Sequence, residues 1–299
     1  MASIREIRRR IRSVQNTAKI TNALQLVAAS KMHRSQQRAT AARPYAEKMR
    51  EVLGHVASLV AAAGGEEERP VHPLLQRREV RTAGIVLITP DRGLCGGLNA
   101  NLNRRAGELL LELREQGEVS LVTVGKKGRD FFRRTRRAIV AEFTDLGDYP
   151  SALDTLPIAR VVMDDYVNGV FDVVYLVYAQ FVNTVTQRPV VHRLLPVEPP
   201  TADESHPLRE VEYIYEPSPE AVLAELLPRY VEMQLYAAVL ESKASEQSAR
   251  MVAMRNATEN AKEMIEALTL TYNKARQEQI TKELLDIVGG VAALEGAGT

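Results

Sequence analysis

Residues 229–288 form a run of 60 residues that contains neither glycine nor proline. Helical throughout, such a run spans about 90 Å at 1.5 Å per residue. A 4-3 alternation runs along it through Leu226, Tyr230, Met233, Ala237, Leu240, Ala244, Gln247, Met251, Met254, Thr258, Ala261, Ile265, Leu268, Tyr272, Ala275 and Gln279. A heptad sustained this long predicts a left-handed coiled coil. A compact globule of 299 residues has a radius of gyration near 19 Å by the usual scaling, so this helix is expected to protrude and to need a partner. Ser218, Pro219 and Glu220 supply an N-cap, a proline at the first helical position and an acid in the first turn. Pro228 is expected to kink or restart the helix.

The economical partner is a helix at the other end of the same chain, folded back antiparallel. Ser3 and Glu6 have capping-box spacing, and Ile4, Ile7, Ile11 and Val14 follow at heptad spacing. The first proline is Pro44 and the first glycine Gly54, so a helix of some 40 residues or more, roughly 60 Å, is predicted. After Val14 the seam softens to Ala18, Thr21 and Gln25, while Ile20, Leu24 and Val27 suggest a drifting apolar stripe. Residues 1–50 carry 12 basic and 2 acidic side chains, or +10, within a chain of net charge +1. Residues 217–299 carry 8 basic and 12 acidic side chains, or −4, so two antiparallel terminal helices attract each other. The Ala, Met, Thr and Gln content of the long seam suits one intramolecular pair better than a tight symmetric dimer. An intermolecular coil, an Arg-rich transit peptide, and a basic helix tracking nucleic acid or anionic lipid remain alternative readings.

Between the helices the period changes. Residues 84–89, 120–124, 138–143, 172–181 and 184–195 are short β-rich runs, with amphipathic stretches at 98–115 and 153–167. This alternation predicts a mainly parallel sheet packed with helices. The last two runs, separated by Val182 and Asn183, predict an antiparallel hairpin at one edge. The fold class read from the sequence is therefore α/β plus coiled coil, with long antiparallel N- and C-terminal helices and a central Rossmann-like α/β domain. Its expected divisions are helix 1–62, linker 63–79, α/β domain 80–197, linker 198–217 and helix 218–299.

The chemistry-bearing motifs are few. Pro90 to Asn99 contains Gly93, Gly96 and Gly97 after a strand and before a helix, the place of a nucleotide phosphate in a doubly wound fold. Its spacing fits neither G-x-G-x-x-G nor the P-loop, which favours a structural turn. Cys95, the single cysteine, excludes an intramolecular disulfide and has no sequence-adjacent histidine to activate it. His33, His55, His72, His192 and His206 lack metal-ligand spacing, and no nucleophile elbow is present. Uncharged apolar runs such as residues 84–90 and 173–182 are far shorter than the roughly 20 residues a membrane helix needs. Catalytic residues, cofactors and metals are therefore not expected.

The segments Ser13-Val14-Gln15-Asn16-Thr17-Ala18-Lys19-Ile20-Thr21 and Val27-Ala28-Ala29-Ser30-Lys31-Met32 resemble the N-terminal helix of the gamma-subunit family of F-type ATP synthases. Asp91-Arg92-Gly93-Leu94-Cys95-Gly96-Gly97-Leu98-Asn99 resembles its central loop. Glu241-Ser242-Lys243-Ala244-Ser245-Glu246, Ala253-Met254-Arg255-Asn256-Ala257 and Tyr272-Asn273-Lys274-Ala275-Arg276-Gln277 resemble its C-terminal helix. Ile280-Thr281-Lys282-Glu283-Leu284-Leu285-Asp286-Ile287-Val288-Gly289-Gly290 resembles its signature, with Gly290 where the family usually has alanine.

The resemblance implies a non-catalytic rotor subunit of a proton-translocating ATP synthase. Its partners would be the alpha and beta subunits of the catalytic head, the epsilon subunit and the membrane c ring, with no nucleic acid and no direct membrane insertion. Its place would be peripheral, on the cytoplasmic face of a bacterial plasma membrane. Carried onto matching positions, the resemblance implies polar contacts of Arg276, Gln277 and Thr281 with beta-subunit loops, and places Leu24 near the beta subunits' acidic lever segment. The basic face of Arg8, Arg9 and Arg12 is a further candidate for that segment, motivated by the +10 charge. Tyr213, Tyr215 and Glu216 match the foot that meets the c ring and the epsilon subunit. One cysteine excludes the cysteine-pair redox switch of chloroplast relatives. The alternative function is a nucleotide-binding α/β enzyme dimerised through its coiled coil.

Overall fold

The computed structural model describes residues 3–63, 72–198 and 215–296. Expected features at Tyr213 and His206, and linker residues 64–71 and 199–214, lie outside those residues. Contacts divide the chain into two units, one of residues 1–27 with 251–299 and one of residues 28–250. Two long helices contribute to both: α1, Ile4–Ala63, and α5, Pro219–Gly296.

α1 begins where Ser3 Oγ accepts the Glu6 N–H at 3.3 Å, the first half of the expected capping box. It continues through Pro44, and α5 continues through Pro228 without the predicted restart. A proline forfeits one ladder hydrogen bond, a local loss that flanking tertiary contacts offset.

In the first unit the helices pair antiparallel. Thr21 and Thr258 share a hydroxyl hydrogen bond of 2.7 Å, and the Arg8 guanidinium donates to Tyr272 Oη at 2.6 Å. On α5, Met254, Thr258 and Ala261 are buried and Ile265, Leu268, Tyr272 and Ala275 half-buried, while the residues between them, apart from the half-buried Ala257, face water. This is the predicted heptad seam. On α1 the seam stays at Ile4, Ile7, Ile11, Val14, Ala18 and Thr21, which corrects the predicted drift at Ile20 and Val27, 61% and 51% exposed, while Leu24 is half-buried as expected. The Thr21 hydroxyl is satisfied by Thr258, so a polar residue keeps the buried position and register outweighs side-chain hydrophobicity. Among the described residues of this unit no ion pair joins the two helices, although opposite charge was the sequence argument for pairing them.

The second unit holds a five-stranded sheet in the order β3-β2-β1-β4-β5: β1 Thr82–Ile88, β2 Glu118–Val124, β3 Ile139–Phe143, β4 Val173–Phe181 and β5 Gln187–Leu195. The first four are parallel and β5 is an antiparallel edge, as predicted. The β4–β5 connection is five residues rather than two. Asn183 Oδ1 accepts the N–H groups of Val185 and Thr186 at 2.9 and 2.7 Å, so a polar side chain closes a longer loop.

Both faces of the sheet are covered. Val86, Ile88, Val122, Val124, Val174 and Leu176 pack under α4 (Ala152–Val167), the Leu53 to Val60 end of α1, and Leu223 to Val239 of α5. Ile85, Leu87, Leu121 and Val177 pack under α2 (Leu98–Arg114) and Phe132 of α3 (Lys126–Arg134). Two-sided burial explains the continuous apolar strands. The short basic helix α3 was missed in the sequence because its nine residues are mostly charged and show no apolar period.

Candidate functional site

β1 lies at the topological switch point of the sheet, with β2 on one side and β4 on the other. In a doubly wound sheet the crevice beyond the carboxyl ends of two such strands is where ligands bind. Here α5 fills it. Ser245 Oγ donates to the Ala179 carbonyl at 2.9 Å, and the Ala179 N–H donates to Ser242 Oγ at 3.3 Å. Ser248 Oγ donates to the Thr184 carbonyl at 2.7 Å, and the Phe181 N–H donates to Glu241 Oε1 at 3.2 Å. Serines three residues apart share one face of a helix, so 242, 245 and 248 form a polar stripe on the terminal backbone of β4 and its hairpin. Burial, and secondarily Glu241, raises the Tyr178 phenol to about 12.

The glycine-rich loop after β1 belongs to the same assembly. Arg250 donates to the Gly93 carbonyl at 3.1 Å and to Glu246 Oε1 at 2.7 Å. Lys243 stands 3.7 Å from the other Glu246 oxygen. Asp91 Oδ1 accepts the Lys126 N–H at 3.0 Å and ties the loop to the start of α3. Leu94 and Gly96 take positive φ, 63° and 58°, which turns the chain into α2. Cys95 is buried, accepts Asn99 Nδ2 at 3.3 Å on its sulfur, and has its thiol pKa raised by burial, the opposite of an activated nucleophile. The loop is a strap around α5. From sequence, Glu241 to Glu246 stood out only as a segment resembling a family; the roles of the serine stripe and of the Lys243, Glu246, Arg250 triad were not read, although the i, i+3 serines and the i, i+4 ion pair are visible there.

The surfaces expected to meet other subunits are distributed differently. Arg276, Gln277 and Thr281 on α5 are all exposed, and Gln277 and Thr281, one turn apart, share a face. Arg8, Arg9 and Arg12 on α1 are exposed too. The Arg8 to Tyr272 bond places that arginine one turn from Arg276, so both basic groups lie at the same end of the paired segment. Leu24 is half-buried and sits beyond Thr21, sixteen residues or about 24 Å along α1 from Arg8. The expected beta-subunit contacts therefore form two separate stations. Past Thr281, Leu284, Leu285, Ile287 and Val288 are 57–66% exposed. Before α5, Glu216 is exposed, whereas Tyr215 is half-buried against the core with its ring 6.5 Å from that of His55.

Among the described residues no group of histidine, cysteine and carboxylates is arranged to hold a metal ion, and no helix is long and apolar enough to cross a membrane.

A family model described as ATP synthase matches residues 3–294. The ATP synthase gamma chain of Dehalococcoides mccartyi is 58% identical over 294 residues, 98% of this chain and 100% of that relative. That of Desulforamulus reducens is 54% identical over 295 residues, 99% of this chain and 100% of that relative. The chain belongs to the ATP synthase gamma chain family. A central-stalk chain in the Tetrahymena thermophila mitochondrial ATP synthase with its c ring aligns at TM-score 0.59 and 26% identity, over 80% of this chain and 99% of that one. A chain of the Euglena gracilis mitochondrial enzyme aligns at TM-score 0.66 and 20% identity, over 99% of this chain and 96% of that one, and shares the fold. Members of this family are non-catalytic subunits, in accord with a switch-point crevice filled by the protein's own helix.

Proposed function

We propose that the chain is the central-stalk rotor of an F-type ATP synthase, turned by the c ring and turning inside the head of alpha and beta subunits. The observation that carries this reading is the narrow seam of the first unit. Only one stripe of each helix is buried against the other, and the remaining surface of α5 beyond residue 261 is exposed. A helical pair that buries only its seam presents a different set of side chains to each surrounding subunit as it turns. Contacts made by exposed polar groups are weak, about 0 to 1 kcal/mol each, so they register position without locking the rotation.

In this reading Arg276, Gln277, Thr281, Arg8, Arg9 and Arg12 face beta-subunit loops at one station and Leu24 does so at another. Tyr215 and Glu216, with Tyr213 next to them in sequence, form the foot toward the c ring and epsilon subunit. Within the second unit α5 is bonded to the end of β4 and to the glycine-rich loop, and in this reading that attachment carries torque. The assembly works at the cytoplasmic face of a bacterial plasma membrane, and the chain joins it as a peripheral subunit in ion transport and ATP synthesis.

Co-expression with alpha and beta subunits from one source, followed by size exclusion and an ATPase assay, tests the reading. A complex with one copy of this chain per three of each partner, and ATPase activity that the chain alone lacks, is the expected result. Elution of the chain alone or as a homodimer overturns it.

A further inference from the structure

A cavity of about 760 Å³ opens within the second unit between α1, β5 and α5, a volume typical of small-molecule sites. Among the described residues, Arg50, Arg77 and Arg193 stand in its wall with one carboxylate, Glu198, which pairs with Arg77 at 2.9 Å and with Arg193. Three guanidiniums against one carboxylate leave an excess of two positive charges. Met233, Leu194 and Val197 give the same cavity an apolar floor. A second, smaller cleft of about 320 Å³ shares Ala46 and Ala237 with it. Ala39, Phe181, Leu240 and Ala244 line that cleft together with the polar Gln36 and Thr40, and its acid, Glu241, is engaged by the Phe181 N–H.

Cationic groups in one cavity and mainly apolar side chains in the adjoining cleft match a ligand with an anionic head and a hydrocarbon tail. We propose that this paired cavity binds one anionic phospholipid, its phosphate among Arg50, Arg77 and Arg193 and an acyl chain in the cleft past Ala46 and Ala237. Guanidiniums suit the phosphate because they present paired donors to its oxygens. The apolar cleft separates this ligand from free phosphate, which would use the arginines alone.

The test is calorimetric titration of the full chain with dihexanoyl phosphatidylglycerol below its micelle concentration. Dihexanoyl phosphatidylcholine and glycerol 3-phosphate serve as probes of the head and the tail. Saturable 1:1 binding of phosphatidylglycerol is expected, roughly tenfold tighter than either probe. Arg50→Ala, an exposed helical position, and Ala237→Leu, which fills the cleft, should each weaken it by about the same factor while the helical circular-dichroism signal is retained. Absence of saturable binding overturns the proposal. So does equal binding of glycerol 3-phosphate, which would leave a simple anion site, or undiminished binding in both variants.

Discussion

The Arg250 guanidinium reaches the carbonyl of Gly93, 157 residues away in sequence, at 3.1 Å. That bond joins the glycine-rich loop to the long C-terminal helix and gives the loop a structural purpose. Its charge is balanced within the helix by Glu246, whose side chain is 6% exposed. Two long-range features of the chain thus share one buried ionic group.

Replacing Arg250 by methionine should destabilise the chain by about 3 kcal/mol, because Glu246 is left buried with only the more distant Lys243. Adding Glu246→Leu should restore part of the loss. Urea unfolding of the two single variants and the double variant measures the coupling, and additive effects would contradict it.

The tie between α1 and the loop before α4 should weaken in acid. Lys31 donates to Asp148 at 2.6 Å, and this bond, against the opposing effect of burial, holds the Asp148 carboxyl below its ordinary value. A depressed folded-state pKa contributes stability above the unfolded value, near 3.9, and loses it as pH falls through the folded value. The difference in unfolding midpoint between the parent chain and Asp148→Asn should be present at neutral pH and shrink below about pH 4. Both side chains are about one-third exposed, so the difference should not exceed about 1 kcal/mol.

Two glycines should respond in opposite directions to alanine. Gly125 has φ of 97°, and a Cβ there would lie 1.9 Å from the Thr89 carbonyl oxygen, a backbone atom that cannot yield. Gly125→Ala should cost about 3 kcal/mol and reduce soluble yield. Gly107 in α2 has open space around its would-be Cβ, and Gly107→Ala should stabilise by about 0.5 to 1 kcal/mol. Thermal melts of both variants check the pair.

The basic residues at the start of α1 should separate by role. Arg8 lies over the Tyr272 ring at 5.5 Å, so Arg8→Ala should lower the stability of the helical pair by about 0.5 to 1 kcal/mol. Arg9→Glu with Arg12→Glu should leave the fold intact and lower ATP-driven ion pumping relative to ATP hydrolysis in the assembled enzyme. Unchanged pumping would remove these arginines from the coupling surface.

Nucleotide should not stabilise the isolated chain. With α5 in the switch-point crevice, millimolar ATP or ADP is expected to leave the melting temperature unchanged. A site with a Kd one hundredth of the ligand concentration would instead add about 2.7 kcal/mol, an easily measured shift.

The sequence by itself determined the elements whose physics is periodic. Sixty residues without glycine or proline that repeat apolar side chains every three to four positions specify a helix, so α5 and its seam from Met254 to Ala275 were legible residue by residue. The central strands β1 and β4 were equally legible, because burial on both faces demands near-continuous apolar runs, while the edge strand β3 shows the alternation of a half-exposed one. α3 was not, since nine mostly charged residues carry no period. Nor was the position of Ile20 and Val27, because local apolarity cannot reveal that the Thr21 hydroxyl finds Thr258 237 residues later. Only the tertiary structure decided the meaning of the glycine-rich loop and the 242, 245, 248 serines. A strand, a loop and a helix far apart in sequence complete each other's hydrogen bonds there, and such complementarity is a property of proximity, which no single segment encodes.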